Sequence, residues 1–305
     1  MADYKDFLDL RDRTREELLA TLDFAVNMKT DLKAGKGSAA LAGKTLAMVF
    51  QKPSARTRIS FEVGMWQLGG YALYLAPTDI GLGKRESVAD IARVLARYND
   101  GIMARVFEHD HVLELGRWSD VPVVNGLTDY NHPCQVLADL QTILEHKSTV
   151  EGIKVAFVGD GNNLSHSWLN AASRLEFDLS LAIPEGYDPD ATTYSEAAAA
   201  NNGITLTRDP REAVEDADVI YTDTWTSMGQ EEEAAKRREA FTGFTVDADL
   251  VGSAKDDVIV MHCLPAHRGE EITDEIMDGP HSVVFDEAEN RLHAQKAVLV
   301  ELMGR

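Results

Sequence analysis

Leu46-Ala47-Met48-Val49-Phe50-Gln51-Lys52-Pro53-Ser54-Ala55-Arg56-Thr57-Arg58 is the stretch whose reading decides the fold. The apolar run before Gln51 predicts a buried strand, and Ile59, Val63 and Trp66 then recur at helical spacing. A strand therefore turns into a helix at Pro53-Ser54, where Ser54 can cap the first turn. The free N–H groups of that turn and the positive end of the helix dipole make an anion site. Two guanidiniums and two hydroxyls within five residues supply the donors that a phosphate dianion accepts. Taken alone, these residues equally describe a capped, solvated basic helix start.

Outward from the motif, the chain alternates. Thr14-Arg15-Glu16-Glu17 predicts a capping box ahead of Leu18, Leu22, Ala25 and Val26, hence an amphipathic helix stopping near Gly35. The motif helix ends at Gly69-Gly70, and residues 71–75 read as the next strand. A polar loop at 78–86 leads to a helix capped by Ser87, running through Leu95, and to a strand at 101–105. Residues 133–145 predict a helix joining the two halves. Strands at 153–158, 179–183, 204–207, 219–222 and 258–261 follow, then a helix at 287–302. Strands alternating with helices of about 10–15 residues imply α/β architecture with doubly wound parallel sheets, and ligand groups gather at the carboxyl ends of such strands.

Composition sets outer bounds. With 305 residues and 44% hydrophobic content, two domains are expected rather than one. No apolar run reaches the ~18 residues of a membrane span, and the charged start lacks a signal-peptide centre, so a cytoplasmic protein is expected. Cys134 and Cys263 cannot build a disulfide framework, and neither has metal-ligand spacing; reduced thiols, no zinc and no cofactor follow as expectations. A net charge of -21 argues against nucleic-acid and anionic-membrane partners, since the summed field repels both. With 12 lysines against 18 arginines and 51 acids, adaptation to high salt and an ordinary acidic cytosolic enzyme both remain open.

The order Pro-Ser-x-Arg-Thr-Arg resembles the carbamoyl-phosphate motif of the aspartate/ornithine carbamoyltransferase family. The likeness recurs in family order at Met103-Ala104-Arg105, His132-Pro133-Cys134-Gln135, Asp223-Thr224-Trp225-Thr226-Ser227-Met228-Gly229 and His262-Cys263-Leu264-Pro265. The last two point to the branch acting on ornithine. The resemblance implies a carbamoyl-phosphate domain at 1–134, to which helix 287–305 returns, an amino-acid domain at 135–286, and two interdomain helices. It implies transfer from carbamoyl phosphate to L-ornithine, with ordered binding, domain closure and a homotrimer or a multiple of trimers.

Residue by residue, the resemblance gives the phosphate to Ser54, Arg56, Thr57 and the backbone at Ala55. It sets Thr57, Arg105 and His132 around the carbamoyl oxygen, with Gln135 and the Leu264 carbonyl on the amide nitrogen. Arg291 reaches the oxygen or phosphate from the last helix. Asn163 and the backbone at Met228 hold the amino-acid carboxylate, Asp223 and Ser227 the α-amino group, and Cys263 with Asp223 the reacting amine. The residue types suit the chemistry, because amine attack creates an oxyanion that preorganised donors stabilise. Plainer readings stand beside each role: a surface ion pair for Arg105, a loop cap for His132, a helix cap for Asp223, plain core for Met228, a small buried apolar group for Cys263, and a Glu287 pair for Arg291. Pro133 is expected to be cis or a rigid turn.

One departure concerns Gly81, where many family members carry Gln or His reaching a neighbouring subunit's phosphate; Lys84 or Arg85 is expected to replace that contact. Aspartate, putrescine or acetylated ornithine as acceptors are the near alternatives. Gly159 and Gly161 suggest a dinucleotide-binding oxidoreductase only weakly, since Leu164 holds the third glycine position. A non-catalytic binding module would not need His132 and Cys263 beside a phosphate site.

Overall fold

The computed structural model describes residues 5–304 with the exception of Met228. It divides into two compact units, one of residues 1–141 and 289–305, the other of residues 142–288. Each is built on one parallel sheet flanked by helices.

In the first unit the strands are β1 (Thr45–Phe50), β2 (Tyr71–Leu75), β3 (Gly101–Arg105) and β4 (Val123–Leu127), in the order β2-β1-β3-β4. All pairings are parallel, with Val49 opposite Leu75 and Phe50 opposite Arg105. Leu46 to Phe50 are fully buried, as expected for a central parallel strand covered on both faces. β2 is the edge, and its Tyr71 is 65% exposed. Helix Arg15–Lys33 has the expected capping box: the Glu17 N–H donates to Thr14 Oγ1, and the Thr14 N–H to the Glu17 carboxylate at 2.8 Å. Such a cap contributes about 1 kcal/mol. β4 escapes sequence reading because Asn125 and Gly126 interrupt its apolar pattern. Asn125 is nevertheless fully buried, its amide donating to the Leu8 carbonyl and to Asn131 Oδ1.

The second unit holds β5 (Lys154–Val158), β6 (Asp178–Ala182), β7 (Ile204–Thr207), β8 (Val219–Thr222) and β9 (Ile259–His262), in the order β7-β6-β5-β8-β9. These are parallel throughout, with Val158 opposite Thr222 and Thr222 opposite His262. One core packs Ala156, Val158, Ile220 and Val260 against Trp225, Phe241 and Val246. Several boundaries move by one residue from expectation, and the last helix, Val284–Met303, starts three residues early.

In both sheets the chain runs outward on one side of the first strand and then crosses to the other side. The crevice at such a reversal is where open α/β sheets bind ligands. It lies between the carboxyl ends of β1 and β3 in the first unit, and of β5 and β8 in the second.

Candidate active site

At the first reversal, β1 leads through Lys52-Pro53 into helix Ala55–Gln67, with Ser54 as its cap accepting from the Thr57 N–H at 3.3 Å. The Ser54 and Thr57 hydroxyls lie 3.1 Å apart. Ala55 opens the helix, so its N–H has no partner within the helix. Arg56 is exposed and makes no hydrogen bond or ion pair with any described residue. The other cations of the motif are engaged: Arg58 pairs with Glu62 at 3.0 Å and lies over Tyr74, while buried Lys52 pairs with Asp129 and lies over Phe107. Arg56 alone keeps its full donor capacity.

Around this turn stand buried polar groups. Arg105, at the end of β3, is 6% exposed and donates to Thr57 Oγ1 at 3.5 Å, which excludes a surface ion pair. His132 and Gln135 lie at the start of helix Pro133–Lys147, also buried. Burial, then Arg291, Arg105 and Arg56 in that order, hold the His132 pKa well below the ordinary histidine value, so the ring is neutral at pH 7. Arg291 donates to Gln135 Oε1 at 2.6 Å and, through two nitrogens, to Gln295 Oε1. Gln295 in turn donates to Ser60 Oγ at 2.7 Å. Glu287, the plainer partner considered for Arg291, accepts from the His262 N–H and the Tyr221 hydroxyl. Pro133 sits in the first helical turn, and the cis peptide among the described residues is Leu264–Pro265 instead.

At the second reversal, Asp223 follows β8 and is buried. Its Oδ1 accepts from Cys263 Sγ at 3.0 Å and from the Thr224 N–H, and its Oδ2 from Asn162 Nδ2 at 2.9 Å. No helix begins there, so Asp223 is not a helix cap. Asn163 opens helix Asn163–Ala172, for which Asn162 is the cap. Leu264 has a left-handed backbone, φ 57°, and its N–H donates to His262 Nδ1 at 2.9 Å. That bond forces the proton of His262 onto Nε2, which donates to buried Glu271 at 2.9 Å. The turn carrying Cys263 is thereby fixed by a neutral imidazole. Ser227 is bonded locally, its N–H to Gln230 Oε1 and its carbonyl to the Gln230 N–H. Met228 lies outside the described residues.

The segment containing Ser227 is anchored by Arg237, which sequence reasoning missed. Its guanidinium donates to Asp160 at 2.8 Å, the Trp225 carbonyl at 2.9 Å and Glu233 at 3.3 Å, and lies over Tyr187. Burial raises the Asp160 pKa to about 6 against the lowering influence of Arg237. Asn162, Gln295 and Glu271 were missed too, and only Asn162, beside Asn163 in a Gly-Asn turn, carried a local signal. In the loop holding Gly81, whose φ of 55° is left-handed, Arg85 donates to the Asp79 carbonyl and pairs with Glu86. Lys84 is exposed and makes no hydrogen bond or ion pair with any described residue.

The first set can therefore grip an anion and polarise an oxygen beside it, and the second can hold and orient an ammonium or amine. Comparison with known proteins agrees with this division. The carbamoyl-P binding domain of aspartate/ornithine carbamoyltransferase matches residues 5–145, and the Asp/Orn binding domain matches residues 151–302. The ornithine carbamoyltransferase of Thermococcus kodakarensis is 58% identical over 304 residues, spanning 98% of this chain and 96% of its own. That of Carboxydothermus hydrogenoformans is 53% identical over 304 residues, spanning 98% of both. Among solved structures, ornithine carbamoyltransferase from Pyrococcus furiosus aligns at a TM-score of 0.95 and 55% identity, covering 98% of this chain and 97% of that one.

Proposed function

This chain belongs to the aspartate/ornithine carbamoyltransferase family, and from that premise we propose that it transfers the carbamoyl group of carbamoyl phosphate to the side-chain amine of L-ornithine, giving L-citrulline and phosphate. The observation that carries the reading is the unpaired Arg56 at a capped helix start beside a neutral, arginine-ringed His132.

The phosphate takes the Ser54 and Thr57 hydroxyls, the helix-start N–H groups at Ala55 and the Arg56 guanidinium. Arg105, Thr57 and His132 donate to the carbamoyl oxygen; each donor aimed at the developing oxyanion is worth ~10²–10³ in rate. A neutral His132 suits this role, because an imidazolium among three guanidiniums would be strongly disfavoured. Gln135 Oε1 and the Leu264 carbonyl accept from the carbamoyl NH₂, and Arg291 holds Gln135 in place.

Ornithine is oriented by Asn163 and the backbone at Met228 on its carboxylate, and by Asp223 and Ser227 on its α-amino group. Cys263, bonded to Asp223, positions the side-chain amine. The amine gives up its proton before attack, so rate rises with pH toward the amine pKa. Attack forms the C–N bond, the tetrahedral oxyanion collapses, and the C–O bond to phosphate breaks. An aspartate acceptor would need a cation where Asp223 stands, so ornithine is favoured.

The reading extends to a homotrimer, supported by the apolar strip of Ile59, Trp66, Tyr71 and Leu73 left exposed beside the open edge of β2. Lys84 is then the residue available to reach a neighbouring copy in place of a side chain at Gly81. Two cysteines, too few for a disulfide framework, suit a reducing cytoplasm. The test is citrulline formation with ornithine, aspartate and putrescine offered separately. Turnover with ornithine alone, and a loss of ~10²–10³ in kcat/KM for carbamoyl phosphate in Arg56→Ala, is the expected result. Equal use of aspartate would overturn it.

A further inference from the structure

Two side-chain clusters among the described residues bring three metal-ligating atoms within 4.8 Å of one another: Asp223, His262 and Cys263, and His267, Glu270 and Glu271. The first belongs to the amine-holding set, and both nitrogens of its His262 are already bonded. The second is unused by the reaction.

Glu271 is fully buried. Its Oε1 accepts from His262 Nε2 and from the His267 N–H at 2.6 Å, whereas its Oε2 has no hydrogen-bond partner among the described residues. An oxygen stranded in this way calls for an ion or a water. It faces His267 Nδ1 at 4.0 Å, and that imidazole is half exposed. Glu270 adds a second carboxylate, one of whose oxygens lies 3.3 Å from Arg238 Nη1. The geometry is held by a tight turn, with the Glu270 N–H donating to the His267 carbonyl and the Gly269 N–H to that of Ile272, both at 2.8 Å. Arg268 is drawn off by Asp274 and Asp278, which keeps its charge away from the cluster.

We propose that His267 Nδ1, Glu270 and Glu271 Oε2 form a site for a divalent cation of the zinc class. One imidazole and two carboxylates make a donor set of intermediate softness, better matched to Zn²⁺ than to the all-oxygen preference of Ca²⁺ or Mg²⁺. Water completes the coordination, and Arg238 releases Glu270 when the ion enters. Through Glu271 Oε1 the ion is linked to His262, which fixes the turn of Cys263.

The test is calorimetric titration of the metal-stripped full chain with Zn²⁺, and the absorption spectrum of the Co²⁺-loaded protein. Expected is one Zn²⁺ per chain that binds at least ~10-fold more weakly in His267→Ala and in Glu270→Gln, and that Cys263→Ser retains. The Co²⁺ complex at that site shows no thiolate-to-cobalt charge-transfer band. Both surface variants, melted without metal, should match the parent, which separates a lost site from a lost fold. Absence of Zn²⁺ binding, affinity unchanged in both surface variants, or loss in Cys263→Ser alone would overturn the assignment.

Discussion

Arg237→Met probes the most heavily committed ion pair in the second unit. Arg237 and Asp160 have side chains only 8% and 7% exposed, at an N···O distance of 2.8 Å. The variant keeps much of the aliphatic volume but leaves Asp160 buried without its cation and the Trp225 carbonyl without its donor. Removing one partner of a buried pair costs about 3–5 kcal/mol, a fall in Tm of roughly 6–20 °C for a unit of this size. The sign with pH follows from Asp160, whose folded pKa of about 6 lies above the ordinary 3.8. The folded state then holds the proton more tightly, so this residue's contribution falls as pH rises from 3.8 to 6. Without Arg237 the folded pKa climbs further, and the deficit of the variant is largest at pH 8 and shrinks below pH 6, where Asp160 is protonated in both proteins. Urea denaturation of the parent, both single variants and Asp160→Asn/Arg237→Met at pH 8 and pH 5 measures this. The double variant should lose clearly less than the sum of the two singles. Additivity within ~0.5 kcal/mol, or a deficit independent of pH, would refute the reasoning.

Three further outcomes are expected. Cys263→Ala removes the thiol bonded to Asp223 and should raise KM for ornithine roughly 10–100-fold, the cost of a hydrogen bond to a charged group; an unchanged KM for ornithine would contradict its role. Burial pushes the Cys134 thiol up to about 12 from 9.0, so the unfolded chain ionises first and stability should fall as pH rises above 9, by up to about 1.4 kcal/mol per pH unit. Melting of Cys134→Ala should show a shallower alkaline decline. In Gly161→Ala the new Cβ would lie 2.3 Å from the Tyr187 carbonyl oxygen and the Pro189 nitrogen, both backbone, so a loss of roughly 3 kcal/mol or more is expected in urea.

Much of this was legible in the chain because its signals are local. An apolar run, a serine cap and a helical repeat define β1 and its helix within twenty residues, and Thr14 and Glu17 announce their own helix. What stayed hidden depends on tertiary environment. Asn125 looks like a turn residue until Leu8 and Asn131 satisfy its amide inside the sheet. Arg237 stands between Lys236 and Arg238 in a short helix, and nothing in that run distinguishes the buried cation from its exposed neighbours. The contact of Arg291 with Gln135 joins residues 156 positions apart, beyond any local spacing rule.

The first unit is assembled from two ends of the chain. Lys29 reaches Asn290, Ser60 receives from Gln295, and Thr21 donates to Glu301. During synthesis the opening segment therefore has to wait for its closing helix until the whole middle unit has been made. A chain truncated before residue 290 would keep Asp223 and Cys263 but lack Arg291, so the anion-gripping set depends on residues made after the whole of the amine-holding set.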